Sequence, residues 1–219
     1  MNYCRLCVYP NTKPDLVLDG DGVCNACNSF AKRKYIDWKA REVRFIELIQ
    51  DTNNRNNYGN SYDCIIPVSG GKDSHFQVIK ALEYGLHPLA VNAVTDDLST
   101  IGRRNLSNIS SLGVDCIEIR PDTKLRKKIN NYTLRIIGDI SWAEHVTIFT
   151  IPIREAIIRQ IPLVIWGENP QNEYGGPEAE RAEMKISWLQ EFGGLNGLRV
   201  TDLIERSIAT KQEMLQYTM

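Results

Sequence analysis

The chain has 219 residues, 42% hydrophobic and 24% charged, the balance of a soluble globular protein with one domain and a small appendage. Its 26 basic and 27 acidic residues leave a net charge of -1, so no global field attracts a polyanion and nucleic acid is not an expected partner. No apolar run reaches the roughly 18 residues of a membrane span, and the opening MNYCRLC lacks a basic stretch leading into an apolar one; no membrane association is expected, and the cytoplasm is the expected compartment.

Residues 1–30 read as a zinc ribbon. Cys4-x-x-Cys7 and Cys24-x-x-Cys27 form two knuckles, with NTKPD and LDGDG supplying turns on either side of LVL. In a reducing compartment this spacing points to tetrahedral zinc rather than disulfides. Four sulfurs leave no open position for water, so the zinc is structural and could stabilise the module by about 10–16 kcal/mol. Residues 31–60 read as a helix and a linker. IDWKAREVRFIELIQD carries Ile36, Val43, Ile46 and Ile49 at helical spacing, and the Asn-rich TNNRNNYGNS marks a domain boundary.

Residues 61–219 alternate strand and helix. The expected order is strand YDCIIPV, helix SHFQVIKALEYG stopped by Gly85, strand LHPLAVNAV, and helix TIGRRNLSNISSLG with Ile101, Leu106, Ile109 and Leu112 inward. Strand VDCIEIR, helix TKLRKKINNYTLRII, a helix EHVTIFTIPIREAIIRQ kinked or broken at Pro152, and strand IPLVIWG follow. Such alternation implies an α/β fold with a doubly wound parallel sheet, ligands binding beyond the carboxyl ends of its strands. Cys64 and Cys116 sit singly within apolar runs and are expected to be packing residues.

SGGKDS follows the first strand of the sheet and opens a helix. Gly70 and Gly71 allow a sharp turn and close backbone approach to a ligand. Ser69, Ser74 and the free amides of the helix start can donate to an anion, and Lys72 adds a charge. The loop is not a Walker A motif, since Ile66 stands where its first glycine belongs and Asp73 follows the lysine. No G-x-G-x-x-G is present either.

SGGKDS after CIIPV resembles the pyrophosphate loop of the N-type ATP pyrophosphatases, the PP-loop superfamily with its adenine nucleotide alpha hydrolase-like fold. The resemblance implies ATP cleavage between the α and β phosphates, with Ser69, Gly70, Gly71, Lys72, Asp73 and Ser74 holding pyrophosphate. It also implies Asp73 as a magnesium ligand, a role suited to a hard carboxylate oxygen.

More of the chain resembles one family within that superfamily. YCRLCVYPNTKPDLVLDGDGVCNAC, IDWKARE, YDCIIPVSGGKDS, IGRRNLSNISSLGVD, IPLVIWGENPQNEYGG and EFGGLNGLRVTDLI together are similar to the N-acetyl sugar amidotransferases of lipopolysaccharide and O-antigen biosynthesis. That resemblance implies an enzyme turning the acetamido group of a nucleotide-activated sugar into an acetamidino group. Its ammonia would come from separate glutaminase and cyclase-like subunits. Members of that family continue past EMLQYTM whereas this chain stops there, so the family's C-terminal segment is expected to be absent.

WGENPQNEYGG closes the fourth strand. Gly167 and Glu168 are expected to face the crevice if that strand neighbours the first, Glu168 as a second magnesium ligand, with Asn169, Glu173 and Tyr174 toward the sugar. A turn ended by Gly167 with Glu168 merely exposed is the alternative. VNAVTDD makes Asn92, Asp96 and Asp97 candidates for the adenosine, and Arg103 and Arg104 candidates for an anion. His145 in SWAEHVTIF is a candidate acid–base or substrate residue, the alternative being a packed helix histidine. Two rival functions stand beside this one: a tRNA-modifying enzyme of the same ATP class (thiolation or lysidine type), and a non-catalytic scaffold that retains the fold.

Overall fold

A computed structural model describes residues 1–13, 16–55, 61–95, 97–169 and 194–218. Its backbone contacts divide the chain into two compact units, Met1–Glu42 with Glu168–Leu198, and Val43–Gly167 with Arg199–Met219.

In the first unit the two knuckles are closed by isolated bridges, Tyr3 with Pro10 and Leu18 with Cys24. Cys24 then caps α1 (Asn25–Lys32), its sulfur accepting from the Cys27 amide. This helix was not expected; Asn25 and Asn28 obscure its pattern, and a capping sulfur is a weak sequence signal. A 3-10 turn (Arg33–Tyr35) leads to α2 (Trp38–Arg55), which runs past the expected start of the linker. Of its apolar positions only Ile49 is buried, whereas Val43 and Ile46 are exposed.

The second unit is built on four parallel strands, β1 (Cys64–Pro67), β2 (Pro88–Ala93), β3 (Cys116–Ile119) and β4 (Leu163–Val164), in the order β3-β2-β1-β4. Register follows from burial on both faces. Ile65 pairs with Leu89 and Val164, and Asn92 pairs with Glu118. Alternate residues of β1 point to opposite layers. Cys64, Ile66 and Val68 pack with Val78, Ala81, Leu106 and Ile109, from α3 (Lys72–Glu83) and α4 (Thr100–Ser110). Ile65, Leu89 and Val91 pack with Ile151 and Ala156 of α6 (Trp142–Arg159) on the other face. The sheet is therefore doubly wound, as its alternating sequence implies.

The elements end where their residues stop them. Gly85, Gly113 and Gly138 close α3, α4 and α5 (Thr123–Ile137) with positive φ of 75°, 90° and 72°. Ile101 departs from its expected inward position and is exposed, because it stands in the first turn of α4 before the helix reaches the sheet. α6 continues through Pro152, so of the two expected outcomes, kink or break, the break does not occur. Pro152 is itself buried, so its ring packs against the core where another side chain would have served. Among the described residues no helix is long and apolar enough to cross a membrane.

After α7 (Val200–Glu205), a 3-10 turn (Glu213–Tyr217) returns to α6. Thr150 donates through Oγ1 to the Gln216 carbonyl at 2.8 Å, and Met214 and Tyr217 are buried. The Tyr217 hydroxyl is buried with no hydrogen-bond partner among the described residues, and burial pushes its pKa up to about 12. An orphaned buried hydroxyl costs about 1–3 kcal/mol. Tyr217→Phe is therefore expected to stabilise the fold by about 1 kcal/mol, read from the midpoint of urea unfolding; a loss of stability would show that the hydroxyl is satisfied.

Candidate functional site

Strand order places the site. The chain leaves β1 for β2 and β3 on one side, then returns as β4 on the other. Order reverses between β1 and β4, the position where doubly wound sheets open a crevice beyond their carboxyl ends. The condition attached to WGENP, that its strand neighbour the first, is met: Ile165 N–H donates to the Ile65 carbonyl at 2.9 Å.

The loop Ser69–Ser74 stands at this edge. Gly70 is buried with φ of 83°, and a Cβ there would lie 2.9 Å from the Leu106 amide nitrogen. Glycine is thus required twice over, by conformation and by the backbone of α4 pressed against it. Gly71 follows as the N-cap of α3. The loop is tied from inside by Ser74, whose buried Oγ accepts the Ser69 N–H at 3.0 Å. Ser69 Oγ lies 3.4 Å from Ser74 Oγ and 3.5 Å from the Gly71 nitrogen that donates to it. Among the described residues the N–H groups of Lys72 and Asp73 have no protein acceptor, as in the first turn of any helix. They are exposed, and the dipole of α3 adds partial positive charge where they lie.

Lys72 and Asp73 pair with each other, the ammonium 2.7 Å from both carboxylate oxygens, with side chains 87% and 64% exposed. So exposed a pair adds little stability. Both groups are therefore free to take other partners.

Asn92 is brought to this edge but turned inward. It is buried, its side-chain amide donates to the Val68 carbonyl at 2.5 Å, and its Oδ1 has no partner among the described residues. It braces the strand that enters the loop. Asp97 and Arg103 are engaged on the surface, with Arg120 at 3.1 Å and Glu118 at 2.6 Å. His145 stands in the second turn of α6, 3.9 Å from Asp139, with Nδ1 buried and unpartnered. No hydrogen bond among the described residues joins it to the loop. Gly167 ends the β4 segment; a Cβ there would stand 2.7 Å from Gln77 Oε1, a neighbour not anticipated from sequence. Glu168 is exposed and Asn169 half-buried, and both fall in the compact unit of the cysteines. Asp96, Glu173 and Tyr174 lie outside the described residues.

In the first unit the sulfurs of Cys4, Cys7, Cys24 and Cys27 all lie within 4.8 Å of one another. Cys4 and Cys27 are 3.9 Å apart, and Cys7 and Cys24 are 3.6 Å apart. Tetrahedral zinc with bonds of about 2.3 Å sets sulfur pairs about 3.8 Å apart, so the donor set fits structural zinc. The electrostatics agree. The Cys7 amide, with others, draws the Cys4 thiol down to about 6, while burial and the crowding sulfurs push Cys27 up to about 12. A bound cation would be needed to hold all four sulfurs as thiolates at this spacing.

Cys64 and Cys116 are not nucleophiles of this arrangement. Burial raises both thiols, Cys64 to about 12, and keeps them protonated.

No protein-family model and no curated protein matches the chain. Among solved structures it is similar to an NH3-dependent NAD synthetase from Campylobacter jejuni, with 13% identity over 64% of this chain and 62% of that one, TM-score 0.44. It is similar to NMN synthetase from Francisella tularensis, with 18% identity over 76% and 73% of the two chains, TM-score 0.44. A predicted subunit of tRNA methyltransferase from Methanocaldococcus jannaschii matches at 14% identity over 63% and 65%, TM-score 0.38. At these scores the likeness is loose, and nothing about this chain's chemistry is taken from it.

Two outcomes follow from the geometry. Gly70→Ala should destabilise the second unit by about 1–3 kcal/mol, read from urea unfolding; unchanged stability would contradict the close packing against Leu106. One zinc per chain should be found by elemental analysis, and Cys24→Ser should lose it together with the amide protection of α1 in hydrogen exchange.

Proposed function

We propose that the chain is an ATP pyrophosphatase-type synthetase whose phosphate loop is Ser69–Ser74, and that it acts on the acetamido group of a nucleotide-linked sugar. The observation that carries the ATP reading is Gly70, held at positive φ against Leu106, with the free amides of Lys72 and Asp73 at the start of α3. The sugar and the ammonia-supplying subunits rest on the sequence resemblance.

The chemistry needs no protein nucleophile. An amide carbonyl is a poor electrophile, so its oxygen must first become a leaving group. The acetamido oxygen attacks the α phosphorus of ATP; an O–P bond forms, the bond to the β phosphate breaks, and pyrophosphate departs into the loop. Ammonia then adds to the activated carbon. The C–O bond to AMP breaks, a proton is released, and the acetamidine remains. The loop amides and Lys72 stabilise the charge that grows on pyrophosphate, and Ser69 adds a hydroxyl donor. Asp73 would hold Mg²⁺, which neutralises phosphate charge when bound. On the sequence resemblance, a glutaminase partner would release the ammonia and a cyclase-like subunit would conduct it.

A second reading has one observation in its favour. Phe30, Tyr35 and Trp38 are exposed, each with a cation near its ring: Arg33 at 5.2 Å, Lys34 at 4.9 Å and Arg41 at 5.8 Å. Stacking faces interleaved with basic groups suit single-stranded RNA and favour a tRNA-modifying enzyme of the same ATP class.

With a glutaminase partner, Mg²⁺ and UDP-N-acetylglucosamine as probe, the protein should release AMP and pyrophosphate; ADP and phosphate would reject the proposed bond cleavage. Asp73→Ala should lower turnover by at least about a hundredfold with zinc content unchanged. Tight, steeply salt-dependent RNA binding would favour the second reading.

A further inference from the structure

Beside the phosphate loop the second unit holds a cavity of about 400 Å³, running along α3 from Asp73 to Lys80. That volume lies within the range of small-molecule sites. Asp73, Phe76, Gln77 and Lys80 stand at i, i+3, i+4 and i+7, so they share one face of the helix. The rise along those positions is about 10 Å, long enough for a hexose ring and the phosphate attached to it. Trp166 and Gly167, at the end of the β4 segment, form the facing wall.

The lining is selective in kind. Phe76 lines the cavity and is 62% exposed, whereas Val78 of the same helix is buried in the core. Trp166 is half-buried and steadied by Phe149, ring centroids 5.4 Å apart. The absence of a side chain at Gly167 leaves room for the Gln77 amide against the strand end. Two aromatic side chains and one amide that can both donate and accept therefore line the cavity, with the Lys80 ammonium 5.9 Å from the Phe76 ring centroid. At one end lies the carboxylate that belongs to the phosphate loop, and at the other the Lys80 ammonium, shared with Glu83.

A pyranose fits this combination: its C–H faces lie on aromatic rings, and its hydroxyl and acetamido groups exchange hydrogen bonds with a planar amide. We infer that the α3 cavity is the acceptor subsite, taking an acetamido-bearing pyranose with its amide toward Asp73 and its anionic anomeric substituent toward Lys80. The inference deepens the sugar-activating reading and rests on it. It adds Phe76, Gln77 and Trp166 as specificity-determining residues.

Saturation-transfer NMR with UDP-N-acetylglucosamine as the probe, alongside ATP titration, tests it on the intact protein. Phe76→Ala removes an exposed ring and should leave the fold and ATP affinity unchanged while weakening sugar binding about tenfold or more. Gln77→Glu should also weaken it, with loss of the acetamido methyl signal. If both variants bind the sugar as the unsubstituted protein does, the subsite is wrong and the sugar-activating reading stands. If the unsubstituted protein binds ATP but no acetamido sugar, that reading falls and takes the subsite with it.

Discussion

The backbone of α4 lies so close to Gly70 that no side chain fits between them, and the rest of the site depends on that approach. A Cβ would meet the Leu106 nitrogen at 2.9 Å. With Gly70 held at positive φ, Gly71 can cap α3 and the amides of Lys72 and Asp73 are left for an anion. Ser74 locks the same turn from beneath by accepting the Ser69 N–H. The loop is thus preorganised by packing within the second unit, which would spare the proposed reaction much reorganisation.

The sheet supplies the second half of the design. Because β4 returns beside β1, the end of its segment meets the flank of the helix that the loop begins. The glycine loop and the cavity along α3 therefore share Asp73 as a common boundary. Asn92 contributes from the other side of β1 by fixing the Val68 carbonyl, which makes it a support for the loop's entry rather than a group presented to solvent. The four cysteines do separate work: they hold two turns and the start of α1 together in a segment with few buried apolar residues of its own.

Much of this was legible in the residue order. The strand cores CIIP, PLAVNA and CIEI, the glycine stops, and the span of TKLRKKINNYTLRII all appear where periodicity places them. Local signals suffice there because each element is short, bounded by glycine and buried on known faces. Three features were illegible for a physical reason. The helix after Cys24 depends on a sulfur cap, the exposure of Ile101 depends on where α4 first meets the sheet, and the passage of α6 through Pro152 depends on a core that accepts the ring.

Residue types and spacings alone determined the two chemistries available to this chain: a sulfur set suited to zinc and a glycine turn suited to phosphate. Both arise from neighbours within a few positions, or from paired knuckles whose spacing is diagnostic. Which strand stands beside β1, and therefore that Trp166, Gly167 and Gln77 share a cavity with Asp73, was decided only by the tertiary structure. Those residues lie some ninety positions apart at their widest, and burial on both faces of β1, not any local preference, brings them together.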